Sequence, residues 1–215
     1  MSFLNQLKSQ ANALQSREGQ QRADLEQHTA QTEQACRSIL HYLQDLARQL
    51  KVIAPAAPHL TLDGKTPWPA MKLVAFRVDA RKKMLRDKEV FDYIAMGWQI
   101  VPQVGQPAGG SVSVNFPPDL ERVESRLALG GVKHERKELR HPEKNTLQAL
   151  RFDYITESRG NVTVKPEHDE GLLAFRLVNL EGFGVVNTSW PASRIHSDTL
   201  DELAKLVVSQ PSRFV

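Results

Sequence analysis

The apolar positions of this chain change their period once. From Phe3 to Lys51 they recur at helical spacing, and from Met71 onward they alternate as in strands. The first stretch contains no proline and one glycine, Gly19, and its ten glutamines and several alanines favour helix. Counted in heptads from Leu4, the a positions are Leu4, Ala11, Glu18, Leu25, Thr32, Ile39 and Leu46, and the d positions are Leu7, Leu14, Gln21, His28, Ala35, Tyr42 and Gln49. Both ends of this seam are apolar and its middle is polar. Cys36, Leu43 and Leu50 widen the stripe towards the C-terminal end beyond what a two-stranded seam needs. Such a helix, if unbroken, extends roughly 70 Å. Two arrangements fit: one continuous arm, or a helical hairpin that reverses at "SREGQ", Ser16 to Gln20, where the only glycine falls. In either, the stripe from Ala35 to Leu50 must be covered by something.

Val52 to Ala70 carries four prolines, which remove backbone donors and restrain their predecessors away from helix. The arm is expected to end there, so we divide the chain into a helical arm (1–51), a proline-rich linker (52–70) and a body (71–215). In the body, "MKLVAFRVD", "VFDYIAMGWQIV" and "SVSVNF" read as strands, being rich in β-branched and aromatic residues. "PPDLERVESRLALGG" reads as a short helix opened by Pro117 and Pro118, with Leu120, Val123 and Leu127 on one face and a stop at Gly130–Gly131. "LQALRFDYITE", "NVTVKPE", "LLAFRLVNL" and "FGVVNTSW" are separated by short turn-forming runs, and predict a four-stranded antiparallel meander. "HSDTLDELAKLVVSQP" predicts an amphipathic final helix, capped by Ser197 or Asp198, with Leu200, Leu203, Leu206 and Val207 facing inward. The fold class is therefore α+β: a long coiled-coil-like arm, then an antiparallel sheet with a short internal helix and a C-terminal helix.

Composition narrows the function classes only slightly. The 215 residues carry 28 basic and 25 acidic side chains, an excess too small to imply a polyanion partner by itself. Cys36 is the only cysteine, so no internal disulfide forms and a cysteine zinc cage within one chain is excluded. "MSFLNQLKSQ" lacks the basic and apolar regions of a signal peptide, and no stretch approaches a membrane span. We expect a cytoplasmic setting and no membrane partner.

Candidate chemistry is sparse. Gly182-Phe-Gly184 joins two strands, whereas a phosphate-cradling loop leads into a helix. In "VKHERKELRHPEK", Val132 to Lys144, a helix would bring His134, Glu138 and His141 together as metal ligands. The flanking glycines and Pro142 favour a strand or loop instead, with charges on both sides, which describes a guarded sheet edge. His168-Asp169-Glu170 reads as a solvated turn, and Asp153 and Glu157 as solvent-face residues of a strand whose other face is Leu150, Phe152, Tyr154 and Thr156. No cofactor or metal is called for, and no catalytic residue can be named. The basic surplus is local: Arg77, Arg81, Lys82, Lys83, Arg86 and Lys88 crowd what reads as a connection between two strands.

Function follows as an ordered set of expectations. The first is a non-catalytic interaction or adaptor protein that associates with itself or a partner helix through Leu4, Leu7, Leu14, Leu25, Ile39, Leu43, Leu46 and Leu50. The second is a nucleic-acid-binding accessory protein that uses the basic loop 77–88. The third is an enzyme or ligand-binding domain with a pocket on the sheet that no motif announces.

Overall fold

The computed structural model describes residues 3–215, with the side chain of Leu4 outside the described set. The first element is one unbroken helix, α1 (Phe3–Ile53), about 75 Å long. Gly19 does not break it, and no hairpin forms: a single glycine costs only about 1 kcal/mol in a helix. The body consists of strands β1 (Met71–Leu85), β2 (Lys88–Pro102) and β3 (Gly109–Val114), helix α2 (Pro117–Gly130), strands β4 (His134–Arg140), β5 (Leu147–Ile155), β6 (Ser158–Glu167), β7 (Leu172–Val178) and β8 (Val185–Pro191), and helix α3 (Ser197–Val207).

These strands form two antiparallel sheets, one ordered β1-β2-β6-β7-β8 and the other β3-β5-β4. The expected meander is thus three strands, not four. The chain leaves β5 and enters the larger sheet at Thr156, whose hydroxyl accepts the Ala108 N–H (2.9 Å) and donates to the Ala108 carbonyl (3.1 Å). "SRGN" is not a turn but the start of β6. A Cβ on Gly160 would fall 2.6 Å from the Trp98 indole, so glycine serves close packing there. The glycine at the end of α2 does behave as a helix stop: Gly131 is left-handed (φ 58°), and its N–H returns to the Ala128 carbonyl.

The proline-rich segment is not a free linker. Ala57 N–H donates to the Met71 carbonyl and Leu73 N–H to the Pro55 carbonyl, and Leu60, Leu62 and Trp68 are buried. Trp68 stacks on Tyr154 of the small sheet and meets Phe183 edge-on, which ties the two sheets together. One continuous core results, shared by the C-terminal half of α1, the inner faces of both sheets, α2 and α3. In α3 the four leucine and valine positions point inward as expected, but the residue before the helix is His196, with no side-chain cap.

Candidate interaction surfaces

Helix α1 is two different surfaces on one rod. In its second half, Thr32, Cys36, Ile39, Leu43, Ala47 and Leu50 are buried, a spacing of three and four residues that follows one face. Of the residues expected to meet a partner, Ile39, Leu43 and Leu50 are therefore committed to the chain's own core, and Leu46 is half-buried against it. In the first half every described side chain from Asn5 to Asp24 is exposed, and Leu25 marks where the helix reaches the body. Phe3, Leu7 and Leu14 stay 73, 45 and 59 per cent exposed. They are not randomly oriented. Leu14 and Leu50 are separated by about ten whole turns at 3.6 residues per turn, and Phe3 and Leu7 fall within about 20° of the same line. The face that packs on the sheet thus runs on past the sheet's edge. The side chain of Leu4 lies outside the described residues.

The helix is fastened where it leaves the body. Glu33 Oε1 accepts the Phe91 backbone N–H (2.8 Å) and lies 2.9 Å from His168 Nε2; the His168 and Glu33 side chains are only 3 and 12 per cent exposed. One turn earlier, His28 Nδ1 lies 2.9 Å from the Asp169 carbonyl. Arg86, at the tip of the β1–β2 hairpin, donates to the Thr29 hydroxyl and the Asp169 carboxylate. His168 and Asp169 are therefore not a solvated turn. They join the tips of two hairpins to the helix, and the long sequence separations involved leave no local signal in the chain.

The basic residues are dispersed rather than gathered on a loop. The segment from Met71 to Pro102 is one long hairpin whose tip is only Arg86–Asp87, both left-handed (φ 47° and 61°), as a two-residue hairpin turn demands. Arg81 and Lys83 approach Asp92 (3.9 and 3.3 Å), and Lys82 pairs with Glu89 (2.7 Å) while lying over the Phe91 ring. Arg86 is held by Asp169, and Lys88 is exposed at the start of β2. Arg77 alone points elsewhere, onto the outer face of the large sheet.

"VKHERKELRHPEK" forms the exposed edge strand β4 in all seven of its strand positions. Lys137 engages Asp153 across the strand pair and Arg151 engages it from the same strand, and together they hold its carboxyl below the usual carboxylate range. His141 lies beyond the strand, where its Nδ1 accepts the Glu143 and Lys144 N–H groups (3.2 and 3.3 Å). The helix that would unite His134, Glu138 and His141 is not formed. Among the described residues no group of three metal-ligating side chains converges.

Titratable groups elsewhere report burial. Burial, with the nearby Glu33 carboxylate, pushes the Cys36 thiol up to about 12 against the opposing pull of Arg37. Tyr42, donating to Asp201 (2.6 Å), is likewise raised by burial and by that acceptor. Asp63 goes the other way: burial opposes its ionisation, but the Thr66 and Lys65 N–H groups and the Thr66 and Thr61 hydroxyls outweigh it and bring the carboxyl down to about 2. That carboxylate organises the turn beneath Trp68, and Arg126 reinforces the turn by donating to the Thr61 and Leu62 carbonyls.

Among the described residues no helix is long and apolar enough to cross a membrane. The chain matches no family model, no curated protein and no solved structure.

Proposed function

We propose that this is a self-associating interaction protein, in which the projecting half of α1 pairs with the same segment of a second copy and the α+β body is carried as the other binding surface. One observation supports this above the rest. Phe3, Leu7 and Leu14 are exposed on the same helix face that is buried further along, on a segment with no neighbour of its own. A lone helix of about twenty residues is marginal in water, so a second helix on that face stabilises both. The segment suits a copy of itself. Lys8, Arg17 and Arg22 stand against Glu18 and Asp24, which leaves it nearly neutral.

The test is light scattering on the full chain across a concentration series, with Leu7→Asp/Leu14→Asp beside it. We expect a dimer or larger assembly for the native chain and a folded monomer for the double variant, since neither side chain touches the body. A native chain that remains monomeric at every concentration refutes the proposal.

A further inference from the structure

The outer face of the large sheet carries a cleft of about 600 Å³ at the C-terminal end of α2, lined by Arg77, Arg159 and Arg176 and by no carboxylate. Strand register shows how three distant arginines come to share it. Arg77 on β1 lies opposite Gly97 on β2, Gly97 opposite Asn161 on β6, and Asn161 opposite Val178 on β7. Arg159 stands two residues from that row in one direction and Arg176 two residues in the other, because β6 and β7 are antiparallel. Two residues along a strand are about 7 Å and adjacent strands about 5 Å apart, so all three side chains can bend towards the Gly97–Asn161 centre. Gly97 keeps that centre open: it has no side chain, and a Cβ there would meet nothing nearer than the Gly160 carbonyl at 3.8 Å.

A bulge aims Arg77 into the cleft. Val74 pairs with Gln99 and Arg77 with Gly97, so Ala75 and Phe76 together face only Trp98. Ala75 is left-handed there (φ 54°), an uncommon conformation for alanine. Without the bulge, the alternation set by Met71 and Leu73 would run on and point Phe76 to solvent and Arg77 into the core. With it, Phe76 is fully buried against Trp98 and Arg77 is turned outward.

Among the described residues, none of the three guanidiniums has a carboxylate within ion-pair distance or donates a hydrogen bond. Arg159 packs over Gly131 at the end of α2 without being needed as its cap. The Leu127 and Ala128 carbonyls already accept the Val132 and Gly131 N–H groups, and the Leu129 carbonyl accepts the Asn179 amide. Nearer the tip of this hairpin four basic residues are paired: Arg81 and Lys83 with Asp92, Lys82 with Glu89, and Arg86 with Asp169. Three guanidiniums without an ion-pair partner thus converge on one small cleft rather than being drawn out into a track.

We propose that this cleft binds the phosphoryl group of a small phosphorylated molecule. Guanidinium forks match phosphoryl oxygens two at a time, three of them suit a dianion, and the volume is that of a small-molecule site. The exposed amide of Gln99 and that of Asn161 border the cleft and provide donors and acceptors for the rest of the ligand.

The experiment titrates the full chain with pyrophosphate, following arginine Nε–H resonances by NMR and the affinity by calorimetry at two salt concentrations. Saturable shifts are expected for Arg77, Arg159 and Arg176 but not for Arg48, with affinity falling as salt rises. Arg77→Ala and Arg176→Ala should each weaken binding about tenfold. Gly97→Asp places a carboxylate among the three guanidiniums and should abolish binding in a chain that melts no earlier than the native one. Equal shifts at Arg48, retained binding in Gly97→Asp, or tighter binding of citrate than of pyrophosphate would each overturn the assignment. So would a single-stranded oligonucleotide that displaces pyrophosphate and depends on Arg81 and Lys83, because that would identify a polyanion track.

Discussion

The two halves of α1 carry the same kind of face to opposite ends. From Thr32 to Leu50 the stripe is buried and belongs to the core; from Phe3 to Leu14 it is exposed and stands clear of the body. Apolar residues at three- and four-residue spacing occur in both, and the wider stripe towards Leu50 does not by itself say what covers it. What differs is the surface opposite. The tips of the β1–β2 and β6–β7 hairpins end near Leu25, and beyond that point the helix continues because its own residues favour helix, not because anything supports it. A stripe read from sequence therefore reports the need for a cover and leaves open whether the cover is the same chain.

Breaking the buried half should have the largest effect. Ile39→Asp/Leu43→Asp places two charges in the core, and we expect loss of the cooperative thermal transition altogether. Next is Glu33→Ala, which strands the Phe91 N–H and His168 where the helix is fastened. Removing one partner of a buried hydrogen-bonded pair costs about 3 kcal/mol, measurable as a lower midpoint in urea denaturation. The more conservative Glu33→Gln keeps an acceptor for Phe91 and should recover part of that loss.

Cys36 sharpens the contrast through pH. Its thiol is raised to about 12 in the folded chain, from an ordinary value of 9.0. Below about pH 9 both states keep the proton and stability is unaffected; between there and about pH 12 only the unfolded chain releases it, so stability falls as pH rises. Cys36→Ala should shallow that alkaline decline. At pH 8 the native thiol should also react with a disulfide reagent far more slowly than the denatured chain does.

Asp63→Asn should cost about 1 kcal/mol, seen as a small drop in melting temperature, by weakening the turn that seats Trp68. Its acid limb has the opposite sign to that of Cys36. The native carboxyl titrates near 2, below its unfolded value, so its contribution is present above about pH 4 and fades as pH falls towards 2. The smallest effect on stability belongs to Leu7→Asp/Leu14→Asp. An unchanged melting temperature at high dilution, with altered association, would confirm that the two halves of one stripe do different things.

The amino-acid sequence by itself determined the elements. Proline-free, glutamine- and alanine-rich residues made α1 a helix, alternation made the strands, Gly131 stopped α2, and mixed charge kept β4 at an edge, because each of these depends on residues a few positions apart. Tertiary structure decided what lies against what. It placed His168 under Glu33 across 135 positions, moved β5 into a separate sheet, drew Leu60, Leu62 and Trp68 of the proline-rich segment into the core, and extended the supposed basic loop into a hairpin. The arginine cleft is the clearest case. Arg159 and Arg176 gave no signal because each sits singly in an ordinary strand, and Arg77 faces them only through the bulge at Ala75. The apolar rhythm of "MKLVAFRVD" slips by one residue at that alanine, yet the slip gains meaning only once register fixes which strands stand opposite. Register depends on pairing between distant segments, and that information lies in no single stretch of the chain.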